Sequence, residues 1–195
     1  PNRVGYTGAQ AARAILQDAG IHDVDIEPSR GMLSDHYDPR HKVLRLSPDV
    51  FNGRSLAAVG IAAHEAGHAI QHAHAYAPLA IRNGLVPMAA IGSNLAFAVF
   101  FLGLFISAAN LMTLGVALFA TVVLFQLVNL PVEFNASARA KAQLASLGIV
   151  GHAEAAPMNK VLNAAAMTYV AATIGAVLTL LYLLLRSGLI GSRDD

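Results

Sequence analysis

The chain has 195 residues, of which 55% are hydrophobic and only 13% charged, and its mean hydropathy is +0.53. That excludes a typical soluble domain, which carries about 25% charged residues, and a disordered chain, which needs low hydrophobicity and high net charge. A net charge of +1 leaves no electrostatic footprint for nucleic acid, and the lack of cysteine excludes disulfides, thiolate metal sites and cysteine nucleophiles.

The chain starts at Pro1, so its true N-terminus is expected upstream; Pro1-Asn2-Arg3-Val4 opens no signal peptide, because no apolar stretch follows. Thr7 is predicted to N-cap a helix running to about Ala19, with Gly20 as its stop. Ala11, Ala14, Ile15 and Ala19 have helical spacing. Val24-Asp25-Ile26 alternates and predicts a strand. Residues 29–40 hold Gly31, Asp35, Asp38 and Pro39 and read as loop. Residues 42–46 predict a second strand, whose basic residues suit an exposed edge. Ser47-Pro48 opens a short helical turn, with Ser as cap and Pro at the first helical position. Ser55 then caps a longer helix expected to end near Pro78. Residues 1–82 thus form the N-terminal part of a small polar domain.

Beyond Arg82 the charges vanish. Residues 83–132 contain none, and neither do residues 161–185. A spanning helix needs about 20 apolar residues. The first run therefore predicts a hairpin of two spans, 85–106 and 112–130, joined by the polar turn Ser107-Ala108-Ala109-Asn110. The second predicts a third span within 164–186, followed by a tail at 187–195. Pro131 is expected to bend or restart the helix there. A hairpin returns the chain to its starting side, so residues 133–163 rejoin the polar domain.

The helix after Ser55 carries His64-Glu65-Ala66-Gly67-His68. Histidines at i and i+4 share one helix face, about 40° apart, so both imidazoles can reach one zinc ion. Glu65 is rotated by about 100° from His64, beside the metal and not on it. There it can take a proton from a metal-activated water and pass it to the leaving amine. This is the HExxH arrangement of metallopeptidases. The nearly unbroken apolar run before it, Leu56-Ala57-Ala58-Val59-Gly60-Ile61-Ala62-Ala63, predicts half-buried polar side chains that need partners.

A catalytic zinc usually has three protein ligands. His74 has the metzincin distance from His68, but that pattern needs glycine where Gln71 stands. On a continuing helix His74 lies about 9 Å further along and about 240° round. It reads as a surface residue. Glu133 is the first charge after the long gap and follows the returning hairpin. Of the four glutamates only Glu133 lies on a membrane-boundary helix that returns to the motif's side, which makes it the preferred third-ligand candidate, with a carboxylate anchoring the helix at the boundary as the alternative.

Several blocks together resemble the YugP-like neutral zinc metallopeptidases. They are Asp35-His36-Tyr37-Asp38-Pro39, Leu46-Ser47, the segment from His64 to His72, Leu130-Pro131-Val132-Glu133-Phe134-Asn135-Ala136-Ser137, and 162–171 with Met167-Thr168-Tyr169-Val170 inside. The blocks cover nearly the whole chain in the family's order. The resemblance implies a mainly α, integral-membrane protein: a small α+β zincin-like catalytic domain with the HExxH helix, plus about three transmembrane helices. The segment at Glu133 also resembles the E-[FY]-x-A-[DS] pattern of HtpX-like proteases, where the glutamate is the third zinc ligand. That implies Zn²⁺ held by His64, His68 and Glu133, with Glu65 as the catalytic base and then acid. The family usually has Asp where this chain has Asn135, so that position receives no charged role. In gluzincin-like proteases an edge strand ahead of the motif helix pairs with extended substrate, and residues 42–46 match by position. Tyr37, Tyr76, Arg139 and Tyr169 are candidates for stabilising the oxyanion, none preferred.

The implied partners are a protein or peptide substrate and the lipid bilayer, with no nucleic acid; oligomeric state is left open. Arg82, Arg139, Lys141 and Lys160 flank the spans on the catalytic side, against Arg186 and Arg193 on the other. This favours a multi-pass cell-membrane protein with a cytoplasmic catalytic domain. Two other readings compete. An intramembrane site-2-type protease needs a span ahead of His64, yet Arg54 lies only ten residues before it. A zinc-stabilised membrane adaptor needs a fourth protein ligand, from His72 or His74, and leaves Glu65 without a task.

Overall fold

A computed structural model describes residues 2, 5–31 and 34–190. The chain divides into two compact units, Pro1–Leu79 with Val132–Met167, and Ala80–Pro131 with Thr168–Asp195.

In the first unit, α1 (Gly8–Asp18) begins as the sequence predicts. Thr7 Oγ1 accepts from the Gln10 amide, and the Gln10 side chain accepts from the Thr7 amide, which satisfies two of the helix's free donors. Three strands follow: β1 (Asp25–Pro28), β2 (His36–Asp38) and β3 (Val43–Leu46). The sheet order is β1-β3-β2, with β1 parallel and β2 antiparallel to β3. Two expectations are corrected here. The stretch read as loop contains β2, three residues too short to show a period and held by pairing Tyr37 opposite Leu44. And β3 is the central strand, not an edge, with Val43, Leu44 and Leu46 buried. Its basic residue serves both neighbours: Arg45 Nη1 lies 3.1 Å from Asp38 on β2, and Nε lies 3.6 Å from Glu27 on β1.

The short helix α2 (Pro48–Phe51) starts at Pro48, but Ser47 does not cap it with its side chain. Its hydroxyl donates instead to the Asp35 carboxylate, and its amide donates to Asp35 Oδ1 at 2.8 Å, which ties the start of β2 to the end of β3. The motif helix α3 (Leu56–Ala73) is capped by Ser55, whose hydroxyl accepts from Ala58 N. It ends five residues before Pro78. His74 is its C-cap, and Ala75 takes a left-handed conformation (φ 49°). Tyr76 N then donates to Gln71 O and Ala75 N to His72 O, the paired bonds of a Schellman stop. Alanine stands where glycine is usual, so the stop has no sequence signature. The core of this unit gathers Ile15, Leu16, Leu44, Leu46, Val59, Ala62, Ala63, Ala66, Leu144, Met158 and Leu162.

Three long helices follow among the described residues: α4 (Ala77–Phe105), α5 (Ala109–Ser146) and α6 (His152–Ser187). Each is long and apolar enough to cross a membrane. The break at residues 106–108 falls at the predicted polar turn. Pro131 does not restart its helix, since α5 runs through it. In the second unit a small cluster of Ala96, Phe100, Val116, Phe119, Val123 and Leu183 is buried. Most other large apolar side chains face outward, among them Phe105 at 91% and Leu178 at 59% exposure. Arg193 and most of the predicted tail lie outside the described residues.

Candidate metal centre

Within the first unit, α3 supplies His64, Glu65 and His68, and the part of α5 from Val132 onward supplies Glu133. The two backbones approach closely at the motif's glycine. A Cβ on Gly67 would lie 2.6 Å from the carbonyl oxygen of Ala136. Any side chain there would push α5 away and carry Glu133 with it.

The approach brings His64 Nε2 to 3.0 Å and His68 Nε2 to 3.6 Å from the same carboxylate oxygen, Glu133 Oε2. Ligand atoms of all three lie within 4.8 Å of one another. Among the described residues this is the one such group of three or more. Glu133 and His68 are almost fully buried, whereas His64 is partly open. A tetrahedral ion 2.0–2.1 Å from each donor sets its donors about 3.3 Å apart. The two histidine–carboxylate distances bracket that value, so the residues fit zinc. The outward nitrogens are also engaged, as metal-binding imidazoles require. His64 Nδ1 lies 3.0 Å from Ser137 Oγ, and His68 Nδ1 lies 3.0 Å from Gln71 Oε1.

Burial opposes a charge on His68, but it is outweighed by the hydrogen bond to Glu133, the charges of Glu65 and Glu133, and the Gln71 contact. Its pKa is therefore raised above the ordinary histidine value. The carboxylates of Glu65 and Glu133 thus favour positive charge at His68.

Glu65 stands outside this group. Its Oε2 accepts from the backbone amide of Tyr37 on β2 at 3.1 Å. Amide and carbonyl of one strand residue point the same way. The outer edge of β2 at Tyr37 therefore faces Glu65. The Tyr37 hydroxyl lies 2.8 Å from His72 Nδ1, one helical turn beyond His68. Burial, then the charges of Asp23 and Asp38, push the phenol up to about 12, so it keeps its proton. A cavity of about 370 Å³ lined by Tyr37, Lys42, Ala69 and His72 flanks this side of α3.

The other sequence candidates fall elsewhere. His74 is exposed and lies 3.2 Å from Arg139 Nη1, outside the group of three. Arg139 Nε donates to Asn135 Oδ1. Tyr169 belongs to the other unit. In the sequence Gln71 shows only as a departure from a metzincin pattern, and Ser137 carries no assigned role. Both lie buried against the histidines. Their signal was position: Gln71 is three residues past His68, and Ser137 is one turn past Glu133.

A family model described as "Putative neutral zinc metallopeptidase" matches residues 1–188. The chain is also similar to "Putative membrane protease YugP" of Bacillus subtilis (strain 168), with 48% identity over 177 residues that cover 91% of this chain and 79% of the relative. No solved structure matches it. Its histidine–histidine–glutamate group, the match over nearly all its length and this identity agree: the chain belongs to the "Putative neutral zinc metallopeptidase" family.

Proposed function

We propose that this protein is an integral-membrane zinc endopeptidase of zincin-like design, with its active site at the membrane surface. His64, His68 and Glu133 would hold Zn²⁺. The observation that carries the reading is the separation of roles on one helix. The two histidines converge on Glu133, while the carboxylate between them turns away to the Tyr37 amide. A non-catalytic zinc site has no use for that fourth group, and it would need a fourth protein ligand.

Bound zinc supplies Lewis acidity, which makes water a nucleophile at neutral pH and polarises a carbonyl oxygen. The remaining steps belong to the chain. Glu65 takes the proton of the attacking water and delivers it to the leaving amine nitrogen. The Tyr37 amide holds the carboxylate in place between these transfers. Extended substrate lies along the outer edge of β2, in place of the central strand β3, and pairs there through the Tyr37 carbonyl, since the Tyr37 amide is taken by Glu65. Main-chain pairing there predicts loose sequence preference.

Residues 1–82 and 133–163 form the catalytic part in this reading, and 83–132 and 164–186 the membrane part. The excess of Arg82, Arg139, Lys141 and Lys160 over Arg186 and Arg193 supports a cytoplasmic catalytic domain.

The test is Glu65→Gln in the detergent-solubilised protein. The variant retains stoichiometric zinc and loses casein hydrolysis by at least about a hundredfold, the lower range for a general acid–base group. Casein cleavage at the parent rate by Glu65→Gln would refute the mechanism. Casein also separates this reading from intramembrane proteolysis, because an enzyme working inside the bilayer rejects a soluble unfolded substrate.

A further inference from the structure

The hydrogen bonds around His68 can be followed outward, and their polarity is forced. An arginine has no acceptor, so Arg139 Nε donates to Asn135 Oδ1 at 2.8 Å. A backbone carbonyl only accepts, so the atom of Gln71 that lies 2.8 Å from Val132 O is its amide nitrogen. The same nitrogen donates to Asn135 Oδ1 at 3.0 Å. Both amide protons are thereby engaged, and Gln71 presents only Oε1 to His68 Nδ1, at 3.0 Å. That oxygen must accept. Nδ1 therefore carries a proton, which leaves Nε2 as the nitrogen that faces Glu133 and that offers its lone pair when zinc is bound. The chain is buried at its centre, with Gln71 at 0% exposure. The partner of His64 imposes no such direction, because the Ser137 hydroxyl can donate or accept.

We propose that Gln71 is the positioning residue of the metal centre: locked by Val132 O and by Asn135 with Arg139 behind it, its amide holds His68 in the one tautomer and orientation that present Nε2 to zinc. The inference rests on the zinc reading and deepens it. It also gives Asn135 a task that needs only an acceptor oxygen, which an aspartate at that position would equally supply.

The experiment measures zinc affinity of the detergent-solubilised protein by chelator competition, with the unfolding midpoint of each metal-free variant recorded beside it. Gln71→Met keeps the side-chain length and removes the amide. Its zinc affinity falls ten- to hundredfold, the usual effect of losing a group that orients a metal ligand. Asn135→Leu weakens zinc in the same direction, and Asn135→Asp restores it. The double variant Gln71→Met with Asn135→Leu binds no worse than Gln71→Met alone, because one chain of contacts carries both effects. A role confined to packing would lower the unfolding midpoint and leave zinc affinity at the parent value, and that result overturns the proposal. So does an Asn135→Asp variant as weak as Asn135→Leu, which decides the matter even if Gln71→Met does not fold. A parent protein that binds no zinc overturns the proposed function itself, and this inference with it. A parent that binds zinc, beside a Gln71→Met variant that binds it equally, overturns the inference alone.

Discussion

The two units use apolar residues in opposite ways. In the first, Ile15, Leu44, Leu46 and Val59 are wholly enclosed, and the polar groups buried among them, Gln71 and Glu133, are held by named partners. In the second, Leu102, Ile174 and Leu178 are each more than half exposed, and the buried cluster is small. All three strands lie in the first unit and none among the described residues of the second. Lipid satisfies no backbone polar group, so a segment surrounded by it must close its hydrogen bonds internally, as helices do. In the membrane reading proposed above, the difference teaches that one apolar composition serves two solvents: it makes a core where water is outside and a coat where lipid is.

The largest expected effect falls on Glu133, the carboxylate enclosed in the first unit. Glu133→Ala should purify without zinc by elemental analysis. Retention of stoichiometric zinc would take Glu133 out of the ligand set. Next, Leu44→Ala empties a closed core and should cost about 2–5 kcal/mol, read as a lowered unfolding midpoint. Leu178→Ala, on the coat, should move that midpoint far less, and equal losses would erase the contrast between the units. A sharper probe is Ile174→Arg, near the middle of the third predicted span. In a bilayer it should cost about 2.5–3.5 kcal/mol and reduce membrane-integrated protein. On a water-facing surface it would stay within about 0.5 kcal/mol, and normal integration would argue against lipid there.

The smallest effect concerns the sheet's surface. The His41 hydrogen bond, then the backbone amides of His41 and Arg40 and the Arg45 guanidinium, outweigh partial desolvation and hold the Asp38 carboxyl well below the usual range. A depressed folded value stabilises above the ordinary carboxylate pKa, and that contribution is lost as pH falls toward the folded value. Asp38→Asn should therefore lower the unfolding midpoint slightly at neutral pH, with the gap to the parent closing in strong acid. A gap that widens on acidification would contradict the sign.

Much of this was legible because it is local. The capping box of α1 and the Ser55 cap follow from residues three apart. The helix stops were legible only in part. Gly20 and Gly148 end α1 and α5 in the left-handed conformation that glycine favours. Ser107 ends α4 in the same way inside the polar turn that the sequence predicts, whereas Ala75 does so for α3 with a residue that announces nothing, so α3 stops five residues short of its expected end. The strands were harder. β2 is held by its pairing and by Asp35, neither visible as a period, and of the two basic residues that suggest an edge, Lys42 precedes β3 while Arg45 lies on this central strand and reaches carboxylates on both sides.

By itself the sequence determined the three long apolar segments, the two histidines on one helical face and the carboxylate beside them, because length, hydropathy and a 3.6-residue turn are properties of contiguous residues. Only the tertiary structure decided which distant groups meet them. Glu133 reaches the histidines because Gly67 lets α5 approach α3, Tyr37 reaches Glu65 because β2 pairs with β3, and Gln71 reaches Val132 and Asn135 because both helices are packed. Each of these contacts joins residues 28 or more apart in the chain. Such pairings depend on packing shape and hydrogen-bond direction, which no local spacing encodes.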